Sequence, residues 1–221
     1  MTLDALAAHA VVHRVPAGSH LFEPAEIPVF AQFLLVGGIE LLAVRGSVET
    51  LVELLLPVDL IVPAAVLTDQ PYLMRARVHE EAHLLLVQAE AFREAVALDH
   101  AFCRAVLGCL AAQFRRQVRM QKSLKLRSAK ERVGCYLVSL LGQTETDAAV
   151  RLPIEKHLIA AQLGMTRETF SRALSGMGKF GIHVVGDVVH IEDATIARAR
   201  FPLDPLIDGK EQIIPLQARK T

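Results

Sequence analysis

Residues 154–192 decide how this chain is interpreted; they read IEKHLIAAQLGMTRETFSRALSGMGKFGIHVVGDVVHIE. Apolar residues up to Leu163 recur at roughly helical spacing. Gly164 then interrupts the pattern, as expected where a tight turn needs a positive φ. Thr166 can begin a second helix, because its hydroxyl can accept an otherwise unpaired backbone N–H. The stretch therefore predicts two helices joined by a tight turn.

The second of these helices has two different faces. Its apolar residues fall on one side: Phe170, Ala173, Leu174 and Met177. Arginine can bind guanine O6 and N7 through two bonds, glutamate can accept from cytosine N4, and serine can meet either kind of base edge. This composition predicts a helix-turn-helix whose second helix enters the major groove, whereas the simpler alternative is a solvated helix face of mixed charge. The predicted DNA-binding residues are Thr166, Arg167, Glu168, Thr169, Ser171 and Arg172.

A β-hairpin is predicted directly after this helix. Two runs rich in β-branched residues, 182–185 and 188–191, flank the dipeptide Gly186-Asp187. Such runs around a two-residue turn that contains glycine are a strong hairpin signal. The hairpin would be the wing of a winged helix-turn-helix.

These residues carry a family resemblance. RETFSR at 167–172, with LGMT before it and GIHVVGDVVHI after it, resembles the DNA-binding half of the CRP/FNR family of bacterial transcription regulators. The resemblance is strong in 125–195 and moderate in 10–120, and the spacing of Glu168, Ser171 and Arg172 is similar to the FNR/DNR-like subgroup. It implies a homodimer on a two-fold symmetric DNA operator with TTGAT-like half-sites, and RNA polymerase as a further partner.

Charge is distributed unevenly along the chain. Residues 1–114 hold 6 Lys/Arg and 13 Asp/Glu, a net charge of −7, and residues 115–221 hold 18 and 11, a net charge of +7. Such asymmetry indicates that the second half meets phosphate. Chance segregation of surface charge is the alternative.

Composition limits the class of protein. The apolar fraction of 52% is enough for well-packed cores, and no run of about 18 apolar residues predicts a membrane span. A secretion signal is not predicted, because the sequence does not start with basic residues followed by an apolar run. We therefore expect a cytoplasmic protein. The cysteines are odd in number: Cys103, Cys109 and Cys135. They indicate a reducing compartment and small buried side chains rather than disulfides.

The first 98 residues are predicted to be strands and turns. A strand is predicted at Phe33–Val36, followed by a bend at Gly37-Gly38 and a second strand at Ile39–Val44. A later strand is predicted at Val78–Val87. Short strands separated by Gly/Pro turns predict a sandwich or barrel. The order resembles the family's β-roll sensor domain, a cupin-like double-stranded β-helix. The expected fold class is therefore α+β: the β-roll, a long dimerisation helix and a C-terminal winged helix-turn-helix.

This sequence departs from the pattern of the family in the region of the nucleotide pocket. Cyclic-AMP binders carry a GEL segment followed by an arginine motif, whereas residues 60–67 and 70–77 here lack the acid and place Tyr72 or Leu73 at the arginine position. Arg75 is left as a displaced phosphate ligand. Because a buried phosphate needs a fixed cationic partner, we expect an effector other than cyclic AMP.

The sequence also bears on other cofactors. The first 100 residues contain no cysteine, which argues against an iron–sulfur cluster. A haem or an apolar effector suits the residues better, and an imidazole could ligate haem iron. No histidine pattern completes a metal site, so no metal ligand is assigned. The candidate histidines are His9, His13, His20, His79 and His83.

Residues 99–126 predict one long helix. Apolar residues recur there at steps of three and four, a narrow seam typical of a parallel coiled coil, although packing on the chain's own β domain is an alternative use. Either Val106 or Leu107 begins the seam. The predicted dimerisation residues are Leu107, Leu110, Phe114, Val118 and Gln121.

The remaining segments complete the organisation. Ser128 and Glu131 form a predicted capping box that starts a new helix, which makes 122–128 a hinge candidate. Residues 142–150 are expected to be a polar loop, 195–200 a short helix, and 201–221 a tail or surface arm. The expected domains are 1–98 (sensor), 99–126 (dimerisation helix), 127–200 (DNA-binding) and 201–221 (tail).

The sequence predicts a regulator that binds DNA under the control of an effector. It predicts no enzyme, because it shows neither a nucleophile–base pair nor a phosphate-cradling glycine loop. Three alternatives stay open. One is an effector-independent regulator with a degenerate sensor domain. Another is a cupin-like metal enzyme fused to a DNA-binding domain, although the required His-x-His motif is missing. The third is an architectural DNA protein without base specificity.

Overall fold

A computed structural model describes residues 6–8, 10–141 and 146–209, with the side chains of 146–148 excepted. The chain forms two compact units, one reaching to Phe114 and the other beginning at Arg115. His9, residues 142–145 and residues 210–221, about which the sequence made predictions, lie outside the described residues.

The first unit is built on one antiparallel sheet. The two longest strands, β3 and β6, pair along most of their length, and the others pair with them in the order β1-β6-β3-β4, with β2 on β6 and β5 on β3. The inner face buries alternate residues such as Ala76, Val78 and Leu84, as expected of a period of two. The strands are β1 (Ala10–Val15), β2 (His20–Phe22), β3 (Phe30–Arg45), β4 (Val48–Leu55), β5 (Asp59–Ile61) and β6 (Arg75–Gln88).

The predicted strand, bend and strand between Phe33 and Val44 form a single strand, β3. Its pairing with β6 shifts register between Leu34 and Ile39, so the bend is present as an irregularity within the strand. Gly37 lies there with φ 91°, and a Cβ at this position would overlap the carbonyl oxygen of Glu81. Only glycine fits both the backbone angle and the close approach.

The prediction of strands and turns alone up to residue 98 was wrong. Two helices, α1 (Pro63–Thr68) and α2 (Ala89–Leu98), belong to this unit. In α2 the residues Ala89, Phe92 and Ala95 are buried at steps of three, which gives the helix one face on the core. The segment is too short and too mixed in polarity for its period to stand out in the sequence.

The predicted helix at 99–126 is confirmed as α3 (His100–Leu126). Asp99 precedes it and accepts hydrogen bonds from the backbone N–H groups of Ala101 and Phe102 at 2.9 and 3.0 Å. Among the described residues no single helix is long and apolar enough to cross a membrane. Only α2 and α3 taken together pass that test of length and composition, and they are bent by 111°.

The second unit contains the predicted helices and hairpin. Its elements after α3 are α4 (Ala129–Ser139), β7 (Thr146–Arg151), α5 (Lys156–Gln162), α6 (Arg167–Ser175), β8 (Ile182–Val185), β9 (Val188–Asp193), α7 (Ala194–Arg200) and α8 (Pro205–Asp208). The capping box of α4 is confirmed, since the Ser128 hydroxyl accepts from the Glu131 N–H and the Glu131 carboxylate accepts from the Ser128 N–H. The predicted α+β architecture is likewise confirmed.

Two predictions for this unit need correction. The polar loop expected at 142–150 contains strand β7, which pairs with β9 and so extends the wing to a three-stranded sheet. The expected surface tail begins with Phe201, which is only 1% exposed, and continues into α8. In both places tertiary pairing, rather than local periodicity, orders the chain.

Candidate nucleic-acid interface

The turn between α5 and α6 is held from two sides. Gly164 has φ 64°, and a Cβ there would lie within 3.5 Å of two Leu124 side-chain carbons, so the turn requires glycine. Arg132 of α4 donates from Nε to the carbonyl oxygen of Leu163 at 2.8 Å. These contacts fix the orientation in which α6 leaves the turn.

Helix α6 begins as predicted. Thr166 is its N-cap, with Oγ1 accepting from the N–H of Thr169 at 3.3 Å. On the inner side Phe170 is 1% exposed and packs in the core of this unit. Burial of this phenylalanine sets the rotation of α6, and so decides which residues face outward.

The predicted readout residues are presented to solvent. Arg167, Glu168, Ser171 and Arg172 are all exposed, as is Thr166, whereas Thr169 is half-buried. Arg172 Nη2 lies 3.4 Å from the Thr169 hydroxyl, and neither Arg167 nor Arg172 forms an ion pair with a described residue. Their guanidinium groups are therefore available for an outside acceptor.

Glu168 is held in its ionised form. Its own backbone N–H and then the Thr166 hydroxyl donate to the carboxylate, and the neighbouring charges of Arg167 and Arg172 add to the effect, so the pKa of Glu168 is lowered from its ordinary value. An ionised carboxylate can only accept hydrogen bonds. Glu168 is thus suited to a donor such as an exocyclic amine.

The predicted wing is formed by β8 and β9. The turn between them includes Gly186 with φ 59°, which agrees with the left-handed conformation that such hairpins need. Val185 beside the turn is exposed, and Arg151 of β7 approaches Asp187 at 3.3 Å. The wing thus presents the tip of a paired sheet rather than a mobile loop.

A cluster of cations that the sequence analysis missed surrounds Phe180. Lys130 Nζ lies 4.3 Å from the ring centroid, Lys179 Nζ 5.4 Å and the Arg200 guanidinium carbon 5.1 Å. Partial desolvation, then the charges of Lys179 and Arg200, lower the pKa of Lys130. We call Lys130, Lys179 and Arg200 the Phe180 cation cluster. No carboxylate of the described residues lies within ion-pair distance of it, so it favours an anion.

The proposed dimerisation residues divide between two environments. Leu107, Phe114, Val118 and Gln121 are exposed on α3. Leu110 is half-buried against the core of the first unit, and Val106 is buried there, so Leu107 rather than Val106 starts the exposed seam. The helix therefore packs on its own domain and also leaves apolar side chains exposed, while the use of these in a dimer stays a prediction.

Side chains pack around Tyr72 and Arg75, the residues considered for a nucleotide phosphate in the sequence analysis. Tyr72, one of two residues expected at the arginine position, is buried and stacks on Phe22. Arg75 pairs with Glu23 at 2.7 Å and with Glu49, so it carries no free charge for a phosphate. These contacts occupy both side chains, and the expectation of an effector other than cyclic AMP stays a prediction.

A separate apolar cavity of about 460 Å³ lies in the first unit. Three aromatic rings border it, with Phe92 edge-on to Phe33 and to Phe102. The described side chains that line it are all apolar: Leu6, Ala7, Ala10, Phe33, Leu85, Val87, Phe92 and Phe102. Within the described part of the chain, no three His, Cys, Asp or Glu residues are grouped as a metal site would require.

Comparison with known proteins assigns the second unit. Its residues 131–195 match the family model of the Crp-like helix-turn-helix domain. The chain carries a Crp-like DNA-binding domain. The match is to a DNA-binding domain and not to an enzyme family, which agrees with the prediction that the chain is not an enzyme. No curated protein matches the sequence significantly.

Solved structures extend the likeness over both units. A candidate cyclic-nucleotide-binding protein from Ruegeria pomeroyi DSS-3 is 25% identical, with a TM-score of 0.58 over 91% of this chain and 90% of that one. FixK2 from Bradyrhizobium japonicum is 18% identical, with a TM-score of 0.68 over 86% and 96% of the two chains. A CooA variant from Carboxydothermus hydrogenoformans is 17% identical, with a TM-score of 0.70 over 87% and 88%. At these identities FixK2 and CooA show a shared fold.

Proposed function

We propose that this chain is a homodimeric, sequence-specific transcription regulator of the FNR/DNR-like type, controlled by an apolar effector bound in its N-terminal unit. The observation that carries the proposal is the outer face of α6. There Arg167, an ionised Glu168, Ser171 and Arg172 stand exposed on a helix that follows a Crp-like turn, and neither arginine forms an ion pair with a described residue. Together they offer donors for guanine and an acceptor for cytosine.

Phosphate contacts supply the affinity in this proposal. The Phe180 cation cluster lies in the same unit as α6, and Lys130 stands in the first turn of α4. Two residues further along α4, Arg132 contacts the turn before α6. We expect cations of this unit to meet the backbone that flanks the groove, and backbone contacts position a protein without reading sequence.

Dimerisation aligns two such helices on one operator. The exposed side chains Leu107, Phe114 and Val118 give α3 an apolar seam that a second copy would bury. The two-fold axis of that dimer matches a palindromic operator, with half-sites about one helical turn apart. TTGAT-like half-sites and a contact with RNA polymerase are the expectations that the resemblance adds.

The effector is proposed to be a small, uncharged apolar molecule. The cavity of about 460 Å³ falls in the size range of ligand pockets, roughly 300–1,000 Å³. Haem is a weaker fit to this cavity, because its iron needs an axial His, Cys, Met or Tyr and no described residue of these types lines it. Cyclic AMP is a weaker fit still, since Arg75 is already paired with two glutamates.

The test is a binding measurement on the purified full chain. A duplex with two inverted TTGAT half-sites, a duplex of scrambled sequence and a pool of randomised duplexes are compared at one salt concentration. We expect about 10³-fold or greater preference for the palindrome, and the pool should yield a two-fold symmetric consensus. Equal affinity for all duplexes would instead favour the architectural DNA protein.

Two titrations then separate the effector classes. Haemin is added anaerobically and the absorption band followed, and indole, as an apolar probe, is added while operator affinity is measured. We expect indole to change operator affinity and the cavity-filling variant Leu85→Trp to abolish its effect. A saturable haem band that responds to carbon monoxide would replace the apolar effector by a gas-sensing haem. No response to any ligand, with operator binding intact, would favour the effector-independent regulator.

A further inference from the structure

We infer that residues 201–209, the C-terminal strap, clamp the junction between α3 and α4 and so set the half-site spacing that the dimer accepts. Asp208 is the positioning residue, because it acts through Arg127 at that junction. The inference rests on the proposed function only for its effect on DNA, since the clamp itself is a property of the second unit.

The central contact is a two-point ion pair. Arg127 donates from Nη1 and Nη2 to the two carboxylate oxygens of Asp208, each at 2.7 Å. The side chains are only 11% and 14% exposed, so the pair is largely shielded from solvent and salt. The N–H of Asp204 also donates to Asp208 Oδ2 at 2.8 Å, which holds the carboxylate in place. Bidentate geometry of this kind fixes orientation as well as distance.

The strap also reaches back to α3. Arg119, two turns before the end of that helix, donates from Nη1 to the carbonyl oxygen of Gly209 at 2.5 Å. Between Leu126, which ends α3, and Ala129, which begins α4, the chain has only Arg127 and Ser128. The end of the strap therefore contacts the chain on one side of the junction and at the junction itself.

The beginning of the strap is fixed to α4. Phe201 is buried against Gly134, where a Cβ would lie within 2.5 Å of ring carbons, and the Cys135 thiol approaches the carbonyl oxygen of Pro202 at 3.7 Å. Arg132 adds a bond from Nη1 to the carbonyl oxygen of Arg127 at 2.9 Å. The strap thus spans from α4 to α3 across the junction, and any change in the angle between the helices has to break one of these contacts.

This geometry has a consequence for DNA. Each recognition helix is carried by the chain after the junction, whereas the proposed dimer seam lies on α3 before it. A clamped junction holds the two recognition helices at one separation, and a released junction lets them adapt to several. A merely stabilising role of the strap would change the unfolding temperature and leave spacing preference unaltered.

The experiment compares Asp208→Asn with Asp204→Asn in the full chain. Both substitutions remove one charge from the strap, and Asp204→Asn is the control. Asp204 caps α8 by accepting from the Leu206 N–H, and asparagine at this position keeps the cap. Operators are made with the half-sites at the preferred spacing and lengthened or shortened by one and two base pairs. Asp208→Asn should reduce the ratio of Kd values between altered and preferred spacing by about tenfold, equivalent to about 1.4 kcal/mol. Asp204→Asn should leave that ratio unchanged. Asp208→Glu should reduce the ratio less than Asp208→Asn does.

A second measurement does not depend on DNA. Hydrogen exchange across residues 119–132 should accelerate in Asp208→Asn relative to the wild type and Asp204→Asn. Unchanged exchange there, or an unchanged spacing ratio in a folded Asp208→Asn, would overturn the inference. If the wild type binds no operator but exchange at the junction accelerates, the clamp stands and the proposed function fails.

Discussion

The ring of Tyr72 stacks on the ring of Phe22, with centroids 3.5 Å apart and planes 9° from parallel. The pair closes the inner face of the first unit and is almost fully buried. Aromatic stacking therefore contributes to the packing of this face, at a position where the sequence analysis expected the arginine of a phosphate site to be replaced.

Tyrosine ionisation gives a direct check of this packing. Burial raises the pKa of Tyr72 and of Tyr136, the two tyrosines of the chain, to about 12. The unfolded state releases these protons near pH 10, so it binds fewer protons than the folded state between these values. The free energy of unfolding therefore falls as the pH rises from about 10 to 12. In a spectrophotometric titration the folded protein should show little tyrosinate at pH 10, whereas the chain in denaturant should be about half ionised.

Cyclic AMP should not bind. Tyr72 occupies the inner face and Arg75 is committed to Glu23 and Glu49, so a phosphate would have to break existing ion pairs. Calorimetric titration of the full chain should show no saturable heat. Saturable heat that disappears in Arg75→Gln would contradict this assignment and restore Arg75 as a phosphate ligand.

Arg172→Ala should weaken binding to the preferred operator by about 1–3 kcal/mol and relax the preference at one base pair of each half-site. The reason is the loss of a two-bond contact with a base edge, which scrambled DNA does not provide. Fluorescence anisotropy with operator and scrambled duplexes measures both effects. Ser175→Ala, at the other end of α6, is the matched control and should behave as the wild type. An equal loss on both duplexes would reassign Arg172 to the DNA backbone.

The Phe180 cation cluster should act through phosphate. Replacing Lys130 and Lys179 by glutamine should lower the slope of log K against log salt by about 2, since each lost phosphate contact removes about 0.9. Affinity should fall equally for operator and scrambled duplexes. The control Arg45→Gln changes an exposed cation at the end of β3 and should leave the slope unaltered. A loss confined to the operator would show that the cluster reads bases.

Gly134→Ala should destabilise the second unit by about 1–3 kcal/mol, the cost of overpacking a filled core. Alanine favours a helix by about 1 kcal/mol over glycine, but its Cβ would overlap the buried ring of Phe201. Thermal unfolding measures the result. Gly108→Ala in α3, where a Cβ would meet nothing within 4 Å, isolates the helix propensity and should stabilise the protein. Equal stabilisation by both substitutions would mean that Phe201 does not pack on Gly134.

Local sequence signals were sufficient to predict turns and helix caps, because each depends on one or two residues that are near in sequence. Gly164 supplies a positive φ, Thr166 caps α6, and Ser128 with Glu131 caps α4, each as the sequence predicted. The period of α3 and the alternation of the wing strands are equally local, because a helix or hairpin repeats its spacing regardless of its partners. These features predict the helix-turn-helix and identify the outward face of α6.

Contacts between distant segments could not be predicted in this way. The sequence shows no pattern that brings Lys130, Lys179 and Arg200 around one ring, pairs 146–151 with β9, or buries Phe201 on Gly134. The bond between Arg127 and Asp208 joins residues 81 positions apart. The sequence by itself therefore determined the local elements and the residues that α6 presents. Only the tertiary structure decided which cations form a cluster, how the strap clamps the junction and what fills the inner face, because those depend on which segments meet in space.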